Sequence, residues 1–362
     1  MKLLLQPDDA ATPVIRAISR AKSNIDIAIF RFDQREIERA LTAAAARGVA
    51  VRALIAHTNR SGEESLRRLE MRLLGAGVTV ARTGDDFPRY HGKLMVIDRR
   101  ELYLMAFNLT YQDMEHSRSF GIVTRSTPLV REALKLLEAD TARQPYEPCV
   151  ERFLVSPINA RPQLARFIKG AKKELLIYDP KISDPAMIRL LEDRQKAGVA
   201  IKILGRIAGA RRTVLAPRDL AQMRLHTRSI IRDGRLAFIG SQSLRELELD
   251  SRREVGLIFR ESKAVNRLAQ IFHADWALTH EPAGQLQTLP TAKLAKKVAK
   301  AIARDLPPLE PLLNGAVKKL AGGKSDFDVK RVEETVKDAV KDAVKQAVRD
   351  VVEEAAAPDR AK

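Results

Sequence analysis

The feature that most constrains this chain is an internal repeat: residues 1–150 and 151–282 run through the same order of segments. In the first copy a short apolar run, Lys2–Pro7, precedes a helical pattern with Val14, Ile15, Ile18 and Ala21 on one face. Ile25–Phe30 follows as an apolar run that reads as a buried strand. Arg35–Arg47 reads as a helix closed by Gly48, and Val49–Ala56 as the next strand. The second copy opens with Arg152–Pro157. A helical pattern through Leu164, Phe167 and Ile168 leads to a strand at Glu174–Tyr178 and a helix at Pro185–Ala197. Gly198–Leu204 then matches Gly48–Leu54 position by position in character.

Strands alternating with helices predict an α/β architecture with mostly parallel strands. Two long copies predict a duplicated domain, packed about a pseudo-twofold axis, rather than an array of many repeats. Such an axis sets matching loops on either side of one groove. Beyond Pro282 the composition changes, and 283–362 is expected to form a basic, helical C-terminal extension. There Val332, Val336, Val340, Val344 and Val348 recur every four residues among Lys, Asp and Glu. That is an amphipathic stripe, suited to docking on the body, or to a membrane surface or a partner helix.

Each copy carries the same spaced set of polar residues. The first reads Tyr90-His91-Gly92-Lys93, with Asp98 seven residues after the histidine and Asn108 ten after the aspartate. The second reads Leu225-His226-Thr227-Arg228, with Asp233 seven residues after the histidine and then Gly240-Ser241-Gln242-Ser243. In an extended strand, residues i and i+2 share a face. His91 and Lys93 therefore point into one space, as do His226 and Arg228.

These residues resemble the signature of the phospholipase D superfamily, His-x-Lys-x4-Asp-x6-Gly-Ser-x-Asn. The resemblance covers about residues 1–282, including the Phe272-His273-Ala274-Asp275-Trp276 ending. The copies depart from the signature in complementary ways. The first has Met105 and Ala106 in place of Gly and Ser; the second has Arg228 for Lys and Ser243 for Asn. Arg228 remains a permanent cation with a fork suited to phosphate oxygens. Arg253-Glu254-Val255-Gly256 looks like the family's acid-bearing strand, and the corresponding Ser117–Gly121 lacks the acid.

The resemblance implies a two-step phosphoryl transfer through a phosphohistidine, with one imidazole attacking phosphorus and the other protonating the leaving alcohol. It implies His91, Lys93, Asp98, His226, Arg228 and Asp233 as the catalytic set. Asn108, Ser241 and Glu254 are implied as substrate-binding or supporting groups. No cofactor and no metal are expected.

Charge and composition bound the partner. Lys and Arg total 64 against 46 Asp and Glu, a net +18 that favours an anionic partner. Three classes stay open: a phospholipid-acting phospholipase D or phosphatidyltransferase similar to cardiolipin synthase; a nucleic-acid phosphodiesterase; and a degenerate phosphate-binding scaffold. Aromatic residues are only 5%, with no segment rich in stacking side chains for nucleic acid. No stretch reaches the ~18–20 apolar residues of a membrane span. The expectation is a cytoplasmic chain with peripheral contact at a membrane surface. Both site halves lie on one chain, so no oligomer is needed to complete the site. Cys149 is the sole cysteine and is expected to be packed.

Overall fold

The second helix, Arg35–Ala46, shows how this sequence makes its layers. Ile37, Ala40, Leu41 and Ala44 fall at helical spacing and are all buried, while Glu36, Arg39 and Arg47 face outward. Gly48, at φ +85°, closes the helix in a left-handed conformation, and Gly198, at φ +87°, does the same in the second copy. A computed structural model describes residues 1–57, 63–208, 213–220 and 222–279. The expected C-terminal extension, with its valine stripe, lies outside the described residues.

The first copy contains β1 (Lys2–Gln6), α1 (Thr12–Arg20), β2 (Asn24–Ile29), α2 (Arg35–Ala46), β3 (Ala50–Ile55) and α3 (Glu63–Gly75). It continues through β4 (Thr79–Arg82), β5 (Leu94–Ile97), β6 (Glu101–Met105), α4 (Tyr111–Glu115), β7 (Ser117–Thr124) and α5 (Thr127–Ala142). The second contains β8 (Phe153–Ser156), α6 (Ala160–Lys169), β9 (Glu174–Ile182), α7 (Pro185–Lys196), β10 (Ala200–Ile207) and β11 (Pro217–Arg218). Then come β12 (Arg224–Leu225), β13 (Arg228–Arg232), β14 (Leu236–Gly240), α8 (Glu246–Asp250), β15 (Glu254–Phe259) and α9 (Ser262–Ala277).

The two sheets have the same strand order. One runs β1-β7-β6-β5-β2-β3-β4; the other, from its far edge, runs β8-β15-β14-β13-β9-β10-β11. Strand β12 of the second copy leaves its own sheet and pairs with β7 of the first. The fold is α/β with a duplicated core, as the repeat predicts. The expectation of mostly parallel strands is corrected: both sheets are mixed, and most pairings are antiparallel. Parallel pairing needs a long crossover, which α2, α3 and α7 supply for β2–β3, β3–β4 and β9–β10. The remaining connections include two tight hairpins. Asp98-Arg99 (φ 51° and 51°) and Asp233-Gly234 (φ 55° and 61°) hold the left-handed conformations that a two-residue hairpin turn requires.

Apolar side chains form three clusters. One packs α1, α2 and α3 on the outer face of the first sheet, and one packs α6 and α7 on the outer face of the second. The largest lies between the sheets and joins Leu94, Val96, Leu104 and Phe120 to Phe153, Ile231, Ile239 and Leu257, with α5 and α9 completing it. Burying residues of both copies in one cluster is what fixes the two motifs across from each other. Cys149 departs from expectation. It is exposed, and Lys135 Nζ donates to its sulfur at 3.0 Å.

Candidate active site

The two motifs occupy matching places. His91 and Lys93 immediately precede β5; His226 precedes β13, which Arg228 opens. Each cation folds back on its own histidine. Lys93 Nζ donates to His91 O at 2.7 Å, and Arg228 Nη1 donates to His226 O at 2.8 Å. His91, Lys93 and His226 are buried. The Phe30 ring meets the His91 ring edge-on at 4.8 Å between centroids, and Lys93 Nζ lies 5.5 Å from the same ring.

The motif histidines are anchored across the repeat. His91 N–H donates to Arg253 O at 2.7 Å, and His226 N–H donates to Arg118 O at 3.1 Å. His91 Nδ1 lies 2.7 Å from Oε2 of the fully buried Glu254. Burial pushes the His91 pKa well down, helped by the charges of Lys93 and Arg228; burial pushes Glu254 up, opposed by Lys93 and the Ser241 hydroxyl. Both shifts disfavour an imidazolium–carboxylate pair. Burial also holds His226 well down, with Asp113 pulling it up against Arg228, Arg224 and Lys93. Lys93 itself is lowered to about 7 by burial, against Glu254. Lys93 and Arg228, one from each copy, thus act on both histidines, so the two motifs share one electrostatic environment.

The remaining expected residues divide. Ser241 is pinned to β15, accepting Val255 N–H at 3.0 Å, beside Glu254. Asn108 donates its side-chain amide to Asp113 Oδ2 at 2.6 Å, and its own Oδ1 is buried without a partner. Ser243, standing where the signature has Asn, donates to Asp179. Asp98 and Asp233 are placed at the hairpin turns, away from these contacts. Asp98 accepts the backbone N–H groups of Lys22, Ser23 and Asn24 at 2.9, 2.7 and 3.1 Å. Asp233 accepts those of Lys172, Lys173 and Glu174 at 3.1, 2.7 and 3.1 Å. Each ties its hairpin to the start of a central strand. That is a scaffold contact in place of the catalytic one expected from the motif.

Two acids were missed. Asp113, on α4, lies 3.5 Å from His226 Nδ1. Glu248, on α8, accepts Ser243 N–H at 2.8 Å, pairs with Arg245 and Arg252, and lies 3.8 Å from Arg228. Their signal is spacing: each falls five residues after the motif's Asn position, 108 and 243. Two buried ion pairs also cross between copies. Arg118 holds Asp275 at 2.8 and 2.9 Å, and Arg253 holds Asp140 at 3.0 Å. Among the described residues, no cluster of three His, Cys, Asp or Glu is arranged to hold a metal ion. Nor is any described helix long and apolar enough to cross a membrane.

Residues 14–141 and 164–276 match the family described as "Cardiolipin synthase, PLD-like domain". The chain belongs to this phospholipase D-like family. Both matched stretches contain one motif, so the duplicated phospholipase D-like core carries the paired histidines. Among solved structures, the core resembles polyphosphate kinase from Porphyromonas gingivalis, at 19% identity and TM-score 0.65, over 76% of this chain and 47% of that one. The chain thus spans about half the length of that kinase. Phosphatidylserine synthase from Haemophilus influenzae Rd KW20 is similar at 11% identity and TM-score 0.61, over 83% of this chain and 93% of that one. The phospholipase D family member Nuc from Salmonella typhimurium matches at 23% identity and TM-score 0.36, over 40% of this chain and 93% of that one. The likenesses to the kinase and to the synthase are of fold. No curated protein matches the chain at significant similarity.

Proposed function

We propose that this phospholipase D-like protein cleaves or transfers a phospholipid phosphodiester at a membrane surface, through a phosphohistidine on His91. The observation that carries the reading is the 2.7 Å contact between His91 Nδ1 and Glu254 Oε2. Glu254 Oε2 accepts the Nδ1 proton and leaves the Nε2 lone pair free for attack, and Lys93 and Arg228 oppose the burial that raises the Glu254 pKa. The tautomer is assigned from this hydrogen-bond geometry.

In the first step a nitrogen–phosphorus bond forms at His91 Nε2, and the phosphorus–oxygen bond to the alcohol breaks. The departing oxygen takes a proton from His226. In the second step water, or an acceptor alcohol, gives its proton to His226 while its oxygen attacks phosphorus and the nitrogen–phosphorus bond breaks. Lys93 and Arg228 neutralise the non-bridging oxygens as charge redistributes. Neutral histidines suit this division: one is a nucleophile, and the other takes up its proton as the anionic substrate arrives.

Lipid is favoured over nucleic acid by two supports. The matched family's description names cardiolipin synthase. The fold aligns with phosphatidylserine synthase over 83% of this chain and 93% of that one. The net charge of +18 suits an anionic bilayer and nucleic acid alike and does not separate them. The scaffold reading has one favouring observation: Glu248 shares its charge with Arg228, Arg245 and Arg252, which reduces what Arg228 offers a phosphate.

The test gives the purified chain vesicles containing phosphatidylglycerol or phosphatidylcholine, and separately single- and double-stranded DNA and RNA, all with chelator present. Turnover of lipid, lost in both H91A and H226A, with radiolabelled phosphorus trapped on the native chain by a denaturing quench during turnover but absent from H91A, is the expected result. Cleavage of nucleic acid alone overturns the lipid assignment. No turnover on either panel by a folded chain overturns the catalytic reading in favour of the scaffold.

A further inference from the structure

The two histidines are not supported alike. Arg253 O accepts from His91 N–H and Arg118 O from His226 N–H, so the residues that follow these acceptors, Glu254 and Ser119, are counterparts. Glu254 reaches its histidine. Ser119 is fully buried, and its hydroxyl finds no hydrogen-bond partner. His226 Nδ1 is likewise without a hydrogen bond. A carboxylate faces it from elsewhere, since Asp113 Oδ2 lies 3.5 Å away.

Asp113 is held there firmly. Its N–H donates to the Thr110 hydroxyl at 3.3 Å, at the start of α4. Oδ2 accepts Asn108 N–H at 2.9 Å and the Asn108 side-chain amide at 2.6 Å, and Oδ1 accepts Arg224 Nη1 at 2.5 Å. Burial alone would push this carboxyl up. His226, Asn108 and Arg224 outweigh it and bring it to about 2, so the group is ionised.

We propose that Asp113 is the positioning residue of His226: the acid missing from strand position Ser119 is supplied instead by α4, five residues beyond Asn108. The assignment rests on the phosphohistidine reading above. The geometry also makes the two supports chemically different. At 2.7 Å Glu254 forms a hydrogen bond that fixes a tautomer. At 3.5 Å, and shared with Asn108 and Arg224, Asp113 acts on His226 through charge. That favours the protonated ring without fixing it on one nitrogen, as a group that gives a proton in one step and recovers it in the next requires. Asn108 becomes part of this clamp: its amide orients the carboxylate that faces His226.

The test is Asp113→Asn in the full chain, read in two ways. The first is the single-turnover release of leaving group, comparing phosphatidylcholine with p-nitrophenyl phosphocholine. Choline needs a proton to leave and p-nitrophenolate does not. Loss of about 10²-fold for the choline ester, with p-nitrophenolate release within about 3-fold of the native chain, is expected. Equal losses on both esters overturn the assignment. The second reading needs no turnover. Ring-nitrogen spectra of ¹⁵N-histidine-labelled protein should show the His226 titration lowered by about one unit or more, with His91 unmoved. Ser119→Glu added to D113N should restore it. An unmoved His226 titration overturns the assignment whether or not lipid is turned over. A native chain that turns over neither ester overturns the phosphohistidine reading alone, and the titration then decides the role of Asp113. If D113N does not fold, Asp113→Glu moves the carboxylate by one methylene and must shift His226; no shift overturns the assignment.

Discussion

His91 and Glu254 stand 163 residues apart in the chain and 2.7 Å apart in the structure, one from each copy of the repeat. The histidine's partner is fully buried, so its hydrogen bond acts in a low-dielectric surrounding and cannot be replaced by one to water. Glu254→Gln keeps the shape and removes the carboxyl group. Turnover should fall by about 10²- to 10⁴-fold, as when a triad carboxylate becomes an amide. Kinetics beside a melting curve check this. A loss of activity matched by a collapse of the fold would mean that Glu254 acts on structure alone.

The pH profile has a predicted alkaline limb. Lys93 is lowered to about 7 by burial, against the pull of Glu254. Its ammonium is present below that value and lost above it, so kcat/KM, which reports the free enzyme, should decline as pH rises through about 7. Lys93→Arg keeps the cation at every accessible pH. The limb should then disappear even if the maximum rate is lower. A limb unchanged in K93R would assign it to another group.

Asp98 and Asp233 are predicted to matter for stability rather than rate. Backbone N–H groups and, for Asp98, the Ser23 hydroxyl bring its pKa below the ordinary carboxylate value despite burial; Asp233 is lowered likewise by Lys173, Glu174 and Lys172. A depressed folded pKa gives stability that is present above the unfolded value and lost as pH falls through the folded one. Asp98→Asn and Asp233→Asn should each cost about 1–3 kcal/mol near neutral pH, measured by urea unfolding. The deficit should shrink below about pH 4. The folded variants should keep kcat within about 3-fold.

The crossing ion pairs should be costly to break singly. Arg118→Met leaves Asp275 buried with Tyr178, whose hydroxyl donates to it at 2.6 Å, as its remaining partner. A loss of about 3–5 kcal/mol is expected from the uncompensated charge. Arg253→Met should behave the same way through Asp140, which burial already raises to about 6. Both variants should still unfold in one transition, because a single apolar cluster joins the copies. Two separate transitions would overturn that coupling.

Much of this architecture was legible in the sequence for a physical reason. Apolar spacing reports burial directly, and left-handed turns favour Gly, Asn and Asp, so Gly48, Gly198 and Asp233-Gly234 announce themselves. Strand direction was harder to read. Hairpins such as Asp98-Arg99 carry a non-glycine turn, and alternation of strands with helices does not reveal which strands become neighbours. The histidine–cation pairs were visible because i, i+2 geometry is local. Asp113 was not, because the ring it faces comes from chain folding: it meets a histidine 113 residues away, and locally only its five-residue spacing from Asn108, repeated by Glu248 after Ser243, sets it apart from a helix-start acid. Likewise Asp98 has motif spacing, yet its contacts are with residues 22–24, which no local pattern could reveal.

The exchange of supports has an evolutionary corollary. His91 is completed by an acid of the second copy and His226 by an acid of the first. Neither copy can therefore diverge as an autonomous gene segment would. Losing an acid from one strand is felt at the other copy's histidine, and its repair can arise anywhere that reaches that ring. With Ser119 carrying no acid, the His226 ring takes its carboxylate from a helix of the first copy instead of a strand.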